Sequence, residues 1–258
     1  MNSMRTIGLI AYDTVRRARR RRHLPVLLVV ALAVAGGVSY ITFFGSKQYE
    51  QFYFQLMMLV LPLMSVLAAV LSSAWVLPQE IADRALHLVL ARPVRRWEVI
   101  AGTYLGALAA GLGMFAVLTV IFLTAFSWRG IAFPPALAHA VVLLGVQVAL
   151  FTALAQFLSL LTTPPMAAIV CILYYFLGQL VQPTLSPMLG AAGTASRPVV
   201  WALYVSLPHL NYFNLTTPVV HSWPAVPFAA VVPAVLYGAG WAALFVLLAM
   251  IRFERCEL

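Results

Sequence analysis

The chain has 258 residues, of which 63% are hydrophobic and only 9% charged, with a formal net charge of +9. A soluble domain carries about 25% charged residues. A mean hydropathy of +0.96 leaves more apolar surface than one water-facing globule can hide, so the composition excludes a soluble enzyme and points to lipid as solvent.

The first segment, 1–23, reads as basic and amphipathic. Over 3–18, Ile7, Ile10, Ala11, Thr14 and Ala18 fall near one helical face, with Arg16 and Arg17 off it and Leu9 breaking the pattern. This is the signature of a helix lying on the inner leaflet, in contact with membrane lipid. Arg16, Arg17, Arg19, Arg20, Arg21 and Arg22 then lead directly into an apolar run. Basic clusters that flank apolar runs are topology signals or headgroup contacts, so no nucleic-acid partner is expected.

The remainder, 24–258, reads as one membrane domain. Its apolar stretches lie at 24–44, 53–77, 98–125, 135–161, 166–185 and 226–251. Each reaches the roughly 20 residues that a helix needs to cross a bilayer. Backbone groups in lipid must be satisfied within the segment, which makes them helices. The first run exceeds the ~7–15-residue core of a signal peptide and is expected to be a retained span. Of the sixteen Lys and Arg, all but Lys47, Arg129 and Arg197 fall in the N-terminal segment, the 78–97 loop or the C-terminal tail. The positive-inside rule therefore places both termini in the cytoplasm. The expected fold is an all-α integral membrane protein with six transmembrane helices, in the inner membrane of a bacterium.

The second span carries Met57, Met58 and Met64, which fit flexible gap-filling better than metal handling. The loop at 78–97 contains Glu80, Asp83, Arg84 and His87, mostly off an apolar face made by Leu86, Val89 and Leu90. Arg92 precedes Pro93, which ends a helix. Arg95, Arg96 and Glu98 follow, just before the third span. A short charged helix between two spans can dock on a soluble partner and pass on a rigid-body push; the alternative is a plain positive-inside loop. Gly102 and Gly106, continued by Ala110, form a small-residue strip that allows close helix packing within the subunit.

No Asp, Glu, Lys or Arg lies well inside a span. Intramembrane charge normally marks proton or ion coupling, so its absence weighs against a proton-driven secondary transporter. The polar groups inside the spans are Gln147, Gln156, Gln179 and Gln182, with the phenols of Tyr174 and Tyr175. Together with Met57, Met58 and Met64 they are candidates for a pathway lining or a dimer seam; ordinary interhelical hydrogen bonding is the alternative.

The segment 186–227 is too apolar for a solvated loop and too rich in proline for a span. It reads as short re-entrant or interfacial helices. Nothing in the chain resembles a catalytic set. The only lysine, in Gly45-Ser46-Lys47-Gln48, is not in a P-loop. The five histidines have no zinc-ligand spacing, so no metal site is expected. Cys171 and Cys256 fall at different depths and are not expected to pair.

The stretch 80–106 resembles the ABC-2 family of exporter permeases. That family carries E-x-x-x-G-T-L-x-x-L-L-x-x-P-[VI]-S-R-x-x-[IV]-x-x-G-K between its second and third spans. The match runs through Glu80, Leu86, Val89, Leu90, Pro93, Val94, Arg96, Glu98, Val99 and Gly102, and departs at Arg84, Ala85, Arg95 and Thr103. Pro208, Asn211, Tyr212, Phe213 and Asn214 look like the family's proline-aromatic segment before the last span, which implies a gate. The resemblance further implies a non-catalytic permease that exports a substrate, coupled through the loop to a separate ABC ATPase subunit holding the ATP and magnesium. It implies a second permease copy, as a homodimer or with a similar chain. The short loop looks close to the permeases of nitrous-oxide reductase maturation. Two other readings stay open: a mechanotransmission subunit that drives a periplasmic protein without translocation, and an ATP-independent channel or secondary transporter.

Overall fold

A computed structural model describes residues 3–20, 23–39, 46–82, 95–128, 130–180, 208–224 and 227–255. Within these every element is helical: α1 (Ser3–Arg20), α2 (His23–Ser39), α3 (Ser46–Ala82), α4 (Arg96–Trp128), α5 (Leu137–Ser159), α6 (Pro164–Leu180), a 3-10 turn (Leu210–Phe213), α7 (Thr216–Val220) and α8 (Phe228–Glu254).

Four stretches among the described residues are long and apolar enough to cross a membrane: Glu50–Val76, Arg96–Trp128, Leu137–Ser159 and Phe228–Glu254. Leu24–Val34 and Pro164–Gln179 are shorter apolar helices, at the positions of the first and fifth expected spans. The second and third spans extend beyond their apolar windows, because helical geometry continues past the point where hydropathy fades.

Cross-helix contacts fix the directions. Tyr53 and Phe126 meet edge to face at 5.0 Å. A Cβ added to Gly111 would lie 2.6 Å from Ala69 Cβ, so α3 and α4 are antiparallel. The Gln156 amide of α5 donates to the Ile100 carbonyl of α4 at 3.0 Å and to the Thr103 hydroxyl at 2.8 Å. The Tyr104 hydroxyl returns a bond to the Ala149 carbonyl at 3.3 Å. These two helices are therefore also antiparallel. The starts of α5 and α8 meet through His139 and Phe228, with ring centroids 4.9 Å apart. Further along, Phe157 and Phe245 stack at 6.2 Å, so α5 and α8 run parallel.

Most hydroxyls inside the long helices are satisfied locally. Ser65, Thr119 and Thr152 donate to the carbonyls four residues back at 2.6, 2.8 and 2.7 Å. Such back-bonding lets a polar side chain sit in an apolar bundle without a distant partner. The core is aliphatic and aromatic, with Met57, Leu61, Leu118, Phe122, Phe126, Phe151 and Phe213 all but inaccessible.

Candidate functional site

Two regions bring the chemistry-bearing residues together, one at each end of the bundle. The first is the base of α4. Glu98 sits at the third helical position and is only 6% exposed. Its carboxylate accepts the Arg95 backbone N–H at 3.2 Å, and its own N–H donates to the Arg95 carbonyl at 3.0 Å. This reciprocal pairing satisfies donors that a helix start leaves orphaned. The Ser3 hydroxyl also donates to Glu98. Arg96 reaches the other way: its guanidinium donates to the carbonyls of Phe253 and Glu254 at 3.3 and 3.0 Å. A cation on the last carbonyls of a helix complements its dipole. The start of α1, the start of α4 and the end of α8 are thus joined at one place. Val99, Ile100, Ala249 and Phe253 form a small apolar cluster beside it.

The glycine strip explains how α1 seats there. A Cβ on Gly102 would lie 2.7 Å from Ile10 Cβ, and one on Gly106 would lie 2.7 Å from the Ala11 carbonyl and run into Thr14. The two helices therefore run side by side, with α1 pointing the same way as α4. The close approach expected of the Gly102 and Gly106 pair is intrasubunit, and its partner is the N-terminal helix. Leu9, which broke the amphipathic pattern, is 60% exposed on the far side of α1.

Of the loop residues named from the sequence, Arg95 is exposed and Arg96 half-buried. Asp83, Arg84, His87, Arg92 and Pro93 lie outside the described residues, as does the side chain of Glu80. So do Gln182 and the part of the expected re-entrant segment at 186–207.

The second region lies at the opposite end. A groove of about 440 Å³ is lined by Gln55, Met58 and Pro62 of α3, Tyr175 and Gln179 of α6, and Asn214. Pro62 has no N–H to give the Met58 carbonyl, so a backbone acceptor is freed on the helix that forms one wall. The Asn214 amide donates to the Gln179 side-chain carbonyl at 3.1 Å. The Asn214 Oδ1 accepts the Thr216 N–H at 3.0 Å and the Thr216 hydroxyl at 2.5 Å. The Tyr174 hydroxyl donates to the Pro208 carbonyl at 2.6 Å.

These bonds tie the 208–224 segment to α6, and a second set ties it to α8. The His209 N–H donates to the Tyr237 hydroxyl at 2.9 Å. Leu210 presses on Gly178, and Phe213 on Gly238, where an added Cβ would lie 2.8 Å from the Phe213 ring. Gly238 is ten residues into α8, about 15 Å along its axis. The 3-10 turn therefore sits well inside the bundle rather than over it. Asn211 and Tyr212 face outward. From Tyr212 an aromatic series follows α8: Tyr212 to Tyr237 at 5.4 Å, Tyr237 to Trp241 at 6.4 Å and Trp241 to Phe245 at 5.6 Å.

The structure divides the residues grouped from the sequence as one pathway or seam. Met58, Tyr175 and Gln179 line the groove. Tyr174 is next to it, bonded to Pro208. Met57 is fully buried in the core, and Met64 is half-buried against it. Gln156 bonds within the bundle. Gln147 is 0% exposed, and neither end of its amide has a partner among the described residues. Gln55, Thr216 and Tyr237 were missed from the sequence. The four-residue spacing of Tyr237, Trp241 and Phe245 is a signal that could have found the last of these.

A helical bundle with several bilayer-length apolar helices, and with large apolar side chains on its outer faces, defines a multi-pass membrane protein. The family model for ABC-2 family transporter proteins matches residues 22–258. The chain belongs to that family. Its members are membrane transport subunits, generally non-catalytic, whose ATPase activity lies in separate subunits. No curated protein matches the chain.

Proposed function

We propose that this chain is the permease subunit of an ABC exporter in a bacterial inner membrane, with six spans, both termini inside and a second copy beside it. The reading rests on family membership and on one arrangement in the fold: the helix that follows the 78–97 loop begins in a joint with α1 and α8. A push on that loop from an ATP-loaded partner would move three helices together rather than one. Glu80, Asp83, Arg84, His87, Arg92 and Pro93 would present the docking surface, with Arg95 at its edge. Arg96 and Glu98 would carry the motion inward through the carbonyls and the hydroxyl that they hold.

The groove between α3 and α6 is half of a pathway on this reading. It opens sideways, between the exposed side chains of Leu59 and Phe176, and the second copy would close it. The segment at 208–214 would act as the gate. Its hydrogen bonds to Tyr174, Gln179 and Tyr237 come from two different helices, so a relative shift of α6 and α8 would break one set or the other. The substrate class fits the lining: amides, phenols and a thioether suit an amphipathic molecule without net charge.

The test is co-purification. Detergent-solubilised protein should bring down an ABC ATPase, and Glu80→Arg with Asp83→Arg should release it. An ATPase that binds the double variant as well as the native chain, or no ATPase at all, would sink the coupling reading. ATP-driven uptake into inverted vesicles, lost with the same variant, would establish export.

A further inference from the structure

The second half of α1 carries two cations, Arg16 and Arg19, that nothing described in the bundle uses. Arg17 pairs with Asp13 at 2.5 Å one helical turn away, so the only acid on this helix is taken. Arg16 and Arg19 are exposed, and no acidic partner for either occurs among the described residues. With Tyr12 and Val15 they line a pocket of about 330 Å³. Val15 and Arg19 also line a second cavity, a groove of about 460 Å³ between α2 and α4. Its walls are apolar: Leu24 and Leu28 on one side, Gly113, Met114 and Val117 on the other. From Ala109 to Val117 the groove follows α4 for about 12 Å.

A cationic pocket with a phenol in its lining, sharing Val15 and Arg19 with an apolar groove between two helices, has the charge and apolar extent that suit one kind of molecule. We propose that it binds a single anionic phospholipid of the inner leaflet. Arg16 and Arg19 hold the phosphate, with the Tyr12 hydroxyl beside them, and one acyl chain lies against Leu28, Gly113 and Val117. The site is argued apart from the coupling reading: its described lining comes from α1, α2 and α4 before any residue of the 78–97 loop is considered. Its consequence is mechanical: the lipid pins the α1–α2 corner to the middle of α4, so the lipid composition of the membrane sets how freely that corner moves.

The experiment is native mass spectrometry on the full chain, released from micelles containing equal amounts of phosphatidylglycerol and phosphatidylcholine with the same acyl chains. One phosphatidylglycerol should be retained in preference. Arg16→Gln and Arg19→Gln should each weaken retention roughly five-fold, the size of one cation's attraction to an anionic surface. Gly113→Leu should weaken it as well. A Cβ at Gly113 meets no atom within 4 Å, so this variant fills the channel without disturbing the fold, and an unchanged melting temperature will verify that. Equal retention of the two lipids, no retention, or full retention in the double arginine variant each overturns the proposal. So does displacement of the lipid by inorganic phosphate with no effect of Gly113→Leu, which would mark an anion cup without a chain site. Cross-linking of a second copy into the groove in place of lipid would overturn it too.

Discussion

At the Arg96 end of the bundle, helices are joined by charged groups and by backbone contact at glycines. At the opposite end they are joined by amides and phenols around a groove that is still open on one side. The first kind of joint resists separation. Glu98 is buried with two donors on it, and removing a partner from a buried charged hydrogen bond costs far more than the bond is worth on the surface. The second kind can be remade. Each Asn214 or Tyr174 bond is neutral, and a neutral side-chain bond in a membrane bundle averages about 0.6 kcal/mol. One end is built to move as a block, and the other to change partners.

Substitutions can break this contrast in order of size. Gly106→Leu should have the largest effect. Its side chain would displace Thr14 and the Ala11 backbone, and overpacking of this kind costs about 3 kcal/mol. The expected outcome is a lower melting temperature in detergent together with rapid protease cleavage within α1. Glu98→Ala should come next, at about 2 kcal/mol, since it strips the Ser3 hydroxyl and the Arg95 N–H of their acceptor. If that variant melts with the native chain, the joint is not a block. Tyr174→Phe should cost about 1 kcal/mol, above the average for such bonds because this one is short at 2.6 Å, and raise hydrogen exchange at 208–214 more than anywhere else; uniform exchange would show that the phenol does not hold the segment. Gln179→Leu should be smallest in stability, near 0.6 kcal/mol, yet should alter the transport proposed above. An effect on stability larger than that of Glu98→Ala would invert the comparison between the two ends.

The helical bundle was legible because hydropathy and the lipid constraint on backbone hydrogen bonds leave few alternatives to helices. The Gly102 and Gly106 strip was equally visible, but its partner was not. Spacing shows that a neighbour can come close, and says nothing of which of several helices does so. The polar residues in the spans show the same limit. Gln156, Gln179 and Gln147 look alike in the sequence, yet one bridges two helices, one faces a groove and one is enclosed without a partner among the described residues. Their difference lies in helix rotation by a fraction of a turn, which an almost uniformly apolar sequence does not encode. Arg96 and Glu98 were read as parts of a charged loop, and their bonds to Glu254 and Ser3 depend on segments about a hundred residues or more away.

The parallel seat of α1 on α4 also bears on how the protein is made. Eighty residues separate Ala18 from Glu98, so α1 has no docking surface on α4 until the third apolar segment has followed it out of the ribosome. In that interval only water and lipid headgroups are available to its Arg-rich face. A nascent chain arrested before residue 98 should expose α1 to modification from the aqueous side, and one arrested after 128 should not.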